Sequence, residues 1–301
     1  MEHQGSCITI TKQRKLIIMA GQKLPISSRK LREVALNDIG CGALFQFCNV
    51  QKEPVLITGI FDAIPELERW SPDWMQDKLK NKSVMVRESD SRTFAVGATS
   101  KEMPFDQYVD TICDPSFEHS TKRLYMQQQS IDHALPELKN EVFIDRYLPQ
   151  KKVFMKNMWF GPGGNTSPLH FDPFDNIFLQ LYGSKQFYLF DPKDYSNLYP
   201  GSCLSTTPHI SGIDPVNVDL NEHPLAAQAS LMQLEIKAGT ALFLPSYWWH
   251  QVYSERLSIS INIWLTTNFF KLCPGAITML PLNARGFTMM YMQKFKSKFK
   301  K

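Results

Sequence analysis

The 301-residue chain holds 33 basic and 29 acidic residues, a net charge of +4, with 43% hydrophobic and 21% charged residues. That balance excludes a disordered chain, and the mild positive excess does not by itself require a nucleic-acid partner. The length fits one large domain or two small ones, and 12% aromatic residues favour a well-filled core or an aromatic-lined pocket.

Residues 1–30 are polar and weakly patterned. Their apolar run, Leu16 to Ala20, is too short for a signal-peptide core or a bilayer span, so no membrane association is expected. Leu31 to Val50 mixes apolar and polar positions at helical spacing. Pro54 to Gly59 is a short apolar run closed by glycine and predicts a buried strand. Ser71, Pro72 and Asp73 predict a helix start, with Ser71 as the cap and Pro72 at the first helical position. Ser83 to Arg87 predicts another strand, and Met103 to Val109 a second helix.

From Leu124 onward short strands alternate with turn residues. Lys152 to Phe160 predicts one strand. Asn176 to Tyr182 and Lys185 to Phe190 predict two more, joined as a hairpin by Gly183-Ser184. Asp191 to Asp194 is an exit turn, and 200–224 is a long loop rich in turn formers. Leu231 to Ile236, Ala241 to Leu244 and Leu257 to Trp264 close the β region. The last alternates cleanly, which predicts one core face and one pocket face. Thr288 to Phe299 has a helical pattern. The basic end, Lys294 to Lys301, reads as a solvated tail, with an anionic partner or a nuclear signal as the alternative. The fold class predicted is mainly β with flanking helices around a sandwich or jelly-roll core. The predicted division is an N-terminal extension and helix over 1–50, a catalytic domain over 51–268 and a C-terminal segment over 269–301.

Six cysteines stand at 7, 41, 48, 113, 203 and 273, with no C-x-x-C spacing. They argue against a zinc ribbon or a dithiol redox motif and read as reduced thiols of a cytoplasmic or nuclear protein.

The chemistry centres on His170, Asp172 and His250. Residues i and i+2 of a strand share a side, so His170 and Asp172 project together while Phe171 points away. His250, at the end of an aromatic run, completes a face. Two imidazoles and one carboxylate suit Fe(II) and leave positions open for a chelating co-substrate and oxygen. A lone H-x-D recurs by chance and equally describes a core histidine beside a surface aspartate. A further cation, Lys185, strengthens the metal reading if it points inward, because a buried ammonium needs a carboxylate partner. Otherwise it is a hairpin-end lysine in water. Ser167 and Tyr125 can add hydroxyls to that carboxylate. Asn176 and Asn262 fall on pocket-facing strands, as co-substrate neighbours or as satisfied core amides. His209 and His223 lie in the long loop and read as surface residues. Trp159, Trp248, Trp249 and Trp264 read as core and pocket wall.

The run Trp159 to Pro173, with Asn176, Gly183 to Lys185, Asn197 to Pro200 and Leu242 to His250, resembles the jumonji-C domain, nearest its small cupin-like hydroxylases. Pro54 to Gly59 and Leu124 to Ser130 extend the likeness, which spans about 50 to 268. The resemblance implies a double-stranded β-helix using Fe(II), 2-oxoglutarate and O2. By the same resemblance His170, Asp172 and His250 match the iron ligands, and Lys185 matches the lysine for the distal carboxylate of 2-oxoglutarate. Tyr125, Ser167 and Asn176 match its hydrogen-bonding neighbours. Oxidative decarboxylation to succinate and CO2 would then drive hydroxylation, most simply of a protein side chain. A modified tRNA base, a methylated lysine, a non-catalytic binding module and a zinc or manganese isomerase are the alternatives. Some relatives dimerise through C-terminal helices, which leaves a homodimer open.

Overall fold

Alternating apolar positions in the second half of the chain build two facing sheets. The structure, a computed structural model, describes residues 24–94, 98–266 and 274–278. Leu16 to Ala20, Cys7, Cys273, the helix expected over 288–299 and the basic tail lie outside the described residues.

In chain order the elements are β1 (Arg32–Ala35), α1 (Leu36–Ile39), α2 (Leu44–Val50), β2 (Val55–Thr58), α3 (Ile60–Ala63), α4 (Pro72–Lys78), β3 (Ser83–Ser89), β4 (Thr99–Pro104) and α5 (Phe105–Cys113). There follow β5 (Arg123–Ser130), β6 (Val153–Gly161), β7 (Asn165–Phe171), β8 (Asp175–Tyr182), β9 (Ser184–Phe190), β10 (Met232–Lys237), β11 (Thr240–Leu244), β12 (Trp249–Ser254), β13 (Ser258–Leu265) and α6 (Pro274–Thr278). The larger sheet runs β1-β2-β11-β8-β13-β6-β5-β3-β4, and the smaller runs β10-β9-β12-β7. These mainly antiparallel layers with flanking helices match the jelly-roll core that the strand pattern predicts and the double-stranded β-helix that the resemblance implies. No helix among the described residues is long and apolar enough to cross a membrane.

Three local expectations change. Arg32 to Ala35 form a strand, not a helix, because they pair in parallel with β2 at the sheet edge; helices begin only at Leu36. β4 is an added edge strand against β3, and its polar sequence gives no apolar alternation to announce it. Gly183 does not close a hairpin. β8 belongs to the larger sheet and β9 to the smaller, so Gly183 turns a corner between layers. Its φ is +68°, and a Cβ there would sit 2.3 Å from the Leu257 carbonyl oxygen.

α4 starts as its sequence predicts, with Ser71 Oγ accepting the Trp74 N–H at 3.2 Å. The outer face of the larger sheet packs Ile177, Leu179, Ile259, Ile261 and Ile263 beneath the N-terminal helices. Leu169, Phe171, Phe190 and Trp249 fill the outer face of the smaller one. Between the layers, Phe178, Phe187, Leu189, Leu242 and Leu244 make an apolar floor. A polar cavity occupies the rest of that space.

Candidate metal and co-substrate site

β7 and β12 are antiparallel neighbours, and their register sets His170 directly opposite His250. The two rings stand 4.2 Å apart between centroids. Asp172 lies just past the end of β7, with Oδ2 3.7 Å from His250 Nε2. One ligand atom from each of the three residues falls within 4.8 Å of the other two. That donor set can hold a divalent iron on one face.

Both imidazoles are oriented the same way. His170 Nδ1 is 2.7 Å from the Pro168 carbonyl and His250 Nδ1 is 3.0 Å from the Trp248 carbonyl. A ring nitrogen facing a carbonyl carries the hydrogen, so each Nε2 keeps its lone pair for a metal. The β7–β12 register slips between His250 and Val252, where Pro168 can give no N–H to the ladder. The slip pairs Ser167 with Val252, and both line the cavity.

Burial holds the Asp172 carboxyl above its usual range, opposed by His170 and then His209. Burial also drives His250 well below the ordinary imidazole value, and His170 adds to the effect. The cluster therefore disfavours net charge of its own, and a bound cation would supply the compensation.

The cavity above the triad measures about 380 Å³. Lys185, 2% exposed, reaches it from β9 just past the Gly183 corner. Its ammonium donates to Ser260 Oγ at 2.8 Å and, weakly, to Tyr125 OH at 3.4 Å. The Phe178 and Tyr125 rings lie 5.4 and 5.9 Å from Nζ. No carboxylate among the described residues pairs with it, and burial lowers it to about 7. Asn176 lines the same wall with a buried amide oxygen that meets no donor. Asn262 also lines it, but its amide oxygen accepts from Trp159 Nε1 at 2.8 Å. An unmatched ammonium and an orphaned amide beside two imidazoles and a carboxylate fit a chelating dicarboxylate.

The residues singled out in the sequence thus converge: His170, Asp172, His250, Lys185, Ser167, Tyr125, Asn176 and Asn262 share one cavity. Trp159 and Trp264 stand on its wall, while Trp248 and Trp249 are core. Trp264 continues through Phe174 to Phe154 as a stack, with centroids 5.4 and 4.3 Å apart.

His209 is a correction: it is not a surface residue but part of the cavity wall. Its loop is tied down by Phe171 N–H to the His209 carbonyl at 3.1 Å and Ser211 N–H to the Leu169 carbonyl at 2.8 Å. Loop composition carries no trace of those bonds. His223 stays away from the cavity, edge-on to Tyr199. Sequence reasoning also missed Ser260, although the alternation of β13 puts it on the same face as Asn262. Arg87, Gln127 and Gln128 were likewise missed as wall residues. The β5–β6 register slips between Met126 and Gln129, and Gln128 takes φ +53° there. The bulge lets adjacent glutamines both face the cavity.

Comparison with known proteins agrees with this geometry. The profile of the cupin-like domain matches residues 43–271. Lysine-specific demethylase 8 of Xenopus tropicalis is 29% identical over 77% of this chain and 53% of its own length. Jumonji C domain-containing protein 5 of Drosophila melanogaster is 35% identical over 46% of this chain and 36% of its own length. tRNA wybutosine-synthesizing protein 5 of Homo sapiens is 25% identical over 81% of this chain and 79% of its own. The chain spans about half the length of the demethylase relatives. With most of its length under that profile and an intact His-Asp-His cluster in the cavity, the chain belongs to the cupin-like domain family, among jumonji-C relatives.

Proposed function

We propose that this chain is an Fe(II)- and 2-oxoglutarate-dependent oxygenase that hydroxylates an unactivated C–H bond on a protein side chain. The carrying observation is Lys185: a buried ammonium without a carboxylate, facing the cavity that holds His170, Asp172 and His250. A non-catalytic module has no reason to bear that desolvation cost.

In this reading His170, Asp172 and His250 hold the metal. Lys185, Ser260 and Tyr125 receive the distal carboxylate, with Ser167 and Asn176 alongside. Iron, when bound with 2-oxoglutarate and O2, supplies the oxidising chemistry. The chain's own residues orient the co-substrate, and the Phe178–Phe187 floor keeps water out. The four described cysteines are free thiols, which suits a reducing cytoplasmic or nuclear setting. The 1–50, 51–268 and 269–301 division and a homodimer remain part of the proposal.

The test is succinate release from 2-oxoglutarate under Fe(II) and air. Activity is expected from the native chain and is expected to vanish in Asp172→Ala and His170→Ala. Native protein that binds iron but forms no succinate overturns the reading.

One observation favours a second substrate, a modified tRNA base: the tRNA wybutosine-synthesizing relative aligns over 81% of this chain and 79% of its own, more of its own length than the demethylase relatives. Incubation with bulk tRNA, followed by nucleoside mass spectrometry, decides for it if a +16 Da nucleoside appears and no peptide product does.

A further inference from the structure

We propose that Trp264 and Gln127 orient the substrate in this cavity, and that the side chain taken up ends in a carbonyl oxygen beside the carbon that is oxidised. The inference deepens the oxygenase reading and rests on it. In that reading Lys185, Ser260, Tyr125, Ser167 and Asn176 serve the co-substrate, and the Asn262 amide oxygen is occupied by Trp159. Trp264 Nε1 and Gln127 Oε1 are left over. Both atoms are buried with no hydrogen-bond partner among the described residues, and both residues line the cavity. An indole N–H can only donate, and an amide oxygen can only accept. The incoming molecule therefore owes an acceptor to one and a donor to the other. His209 Nδ1 is also unmet, but a neutral imidazole nitrogen donates or accepts according to its tautomer and so specifies neither.

Trp264 stands at the metal end. It shares the inner face of β13 with Ser260 and Asn262 and pairs with Asn176 of β8, just downstream of Asp172. Its ring stacks on Phe174 at 5.4 Å and 19° between planes, and Phe174 stacks on Phe154 at 4.3 Å. The direction of the N–H is thus fixed before a substrate arrives. Gln127 stands on the far side of Trp159. Its Nε2 donates to the Phe94 carbonyl at 3.3 Å, which orients the amide and leaves Oε1 to accept.

Strand register sets the separation of the two. Trp264 pairs with Met155 of β6, and Gln127 lies in the β5 bulge between the pairs Met126–Phe160 and Gln129–Met158. The positions are about four residues apart along β6 and two strands across, roughly 17 Å between Cα atoms. That spacing suits a peptide laid over the inner face. Its reacting side chain gives a carbonyl oxygen to Trp264, and a backbone N–H a few residues away meets Gln127.

The experiment uses the full chain with Fe(II), 2-oxoglutarate and air. Peptide pools are fixed at the central position as Asn, Asp, Gln, Glu, Leu or Met, with randomised flanks. Hydroxylation is read as +16 Da, and succinate is measured in the same samples. At least one carbonyl-bearing pool is expected to react about tenfold or more faster than the Leu and Met pools. Comparison of Asn with Asp, and of Gln with Glu, separates an amide from a carboxylate as the source of the oxygen. Trp264→Phe keeps an aromatic ring on Phe174 and removes the N–H. It is expected to bring the ratio near one and to raise the succinate formed per hydroxylation. Gln127→Met is expected to weaken binding of every pool about fivefold and to leave the ratio alone. Anaerobic binding of fluorescein-labelled pools to the Fe(II)- and 2-oxoglutarate-loaded chain, followed by anisotropy, reads both effects independently of turnover. Thermal melts establish that each variant folds.

Leu or Met pools that react as fast as the carbonyl-bearing ones overturn the inference. So does a carbonyl preference that survives Trp264→Phe, a loss in that variant confined to 2-oxoglutarate affinity, product only from tRNA, or succinate with no pool hydroxylated. Native binding by Gln127→Met overturns the role of Gln127. Each of these leaves the oxygenase reading standing. Absence of succinate from iron-loaded native protein overturns the oxygenase reading itself.

Discussion

Lys185 concentrates the chemistry of the site in one atom. Among the described residues its ammonium meets two hydroxyls and two rings, and burial lowers it to about 7. The unfolded lysine titrates near 10.4, so the unliganded fold loses stability as pH falls from about 10 towards 7. Lys185→Met is expected to raise stability at pH 7 by on the order of a few kcal/mol in urea denaturation, while abolishing succinate formation. A carboxylate beside Nζ raises the group again. Binding of 2-oxoglutarate at pH 8 should therefore take up a proton, and its affinity should weaken as pH climbs above about 7. Calorimetry in buffers of different ionisation enthalpy reads this directly, and zero uptake counts against it. At the triad the raised carboxyl of Asp172 and the lowered imidazole of His250 assign the competing proton to the carboxylate. Fe(II) affinity is expected to rise with pH through that titration, with a shallower slope in Asp172→Asn, measured anaerobically. The shared side of His170 and Asp172 is legible in the sequence because strand periodicity fixes it, while His250 and an inward Lys185 gain their roles there only through the jumonji-C resemblance. Ser260 and His209 are not legible, because their places depend on bonds between distant segments.

The strands themselves announce their existence but not their partners. β8 is buried on both faces, since one layer packs on each side of it. Its sequence and that of β9 read the same whether Gly183 makes a hairpin or a corner. Only the packing of both layers decides, and the short approach to Leu257 records the outcome. Gly183→Val is expected to cost roughly 2 kcal/mol or more, because it adds a left-handed β-branched residue to a steric clash. Denaturant midpoints measure it, and an unchanged midpoint would mean the corner relaxes freely. The slip in β7 and the bulge in β5 are equally silent in sequence, yet they aim Ser167 and the two glutamines. β4 escaped notice because an exposed edge strand needs no apolar face.

For the molecule as a whole, the cavity is the seam between two sheets. The larger sheet contributes Tyr125, Asn176 and Asn262; the smaller contributes His170, Lys185 and His250. A metal and a dicarboxylate held there would tie the layers together. Fe(II) with 2-oxoglutarate under argon is expected to stabilise the fold by about 2.7 kcal/mol at a hundredfold excess over the dissociation constant. A thermal melt records this, and Asp172→Ala should lose most of the shift. The jelly-roll class was readable from strand and turn spacing, whereas assignment of strands to layers required the packed interior. Trp159 and Trp264 form part of that seam, one tethered to Asn262 and the other capping an aromatic stack. Their emission samples the polarity of the chamber itself, so the protein comes with a built-in optical gauge of whether its chamber is full.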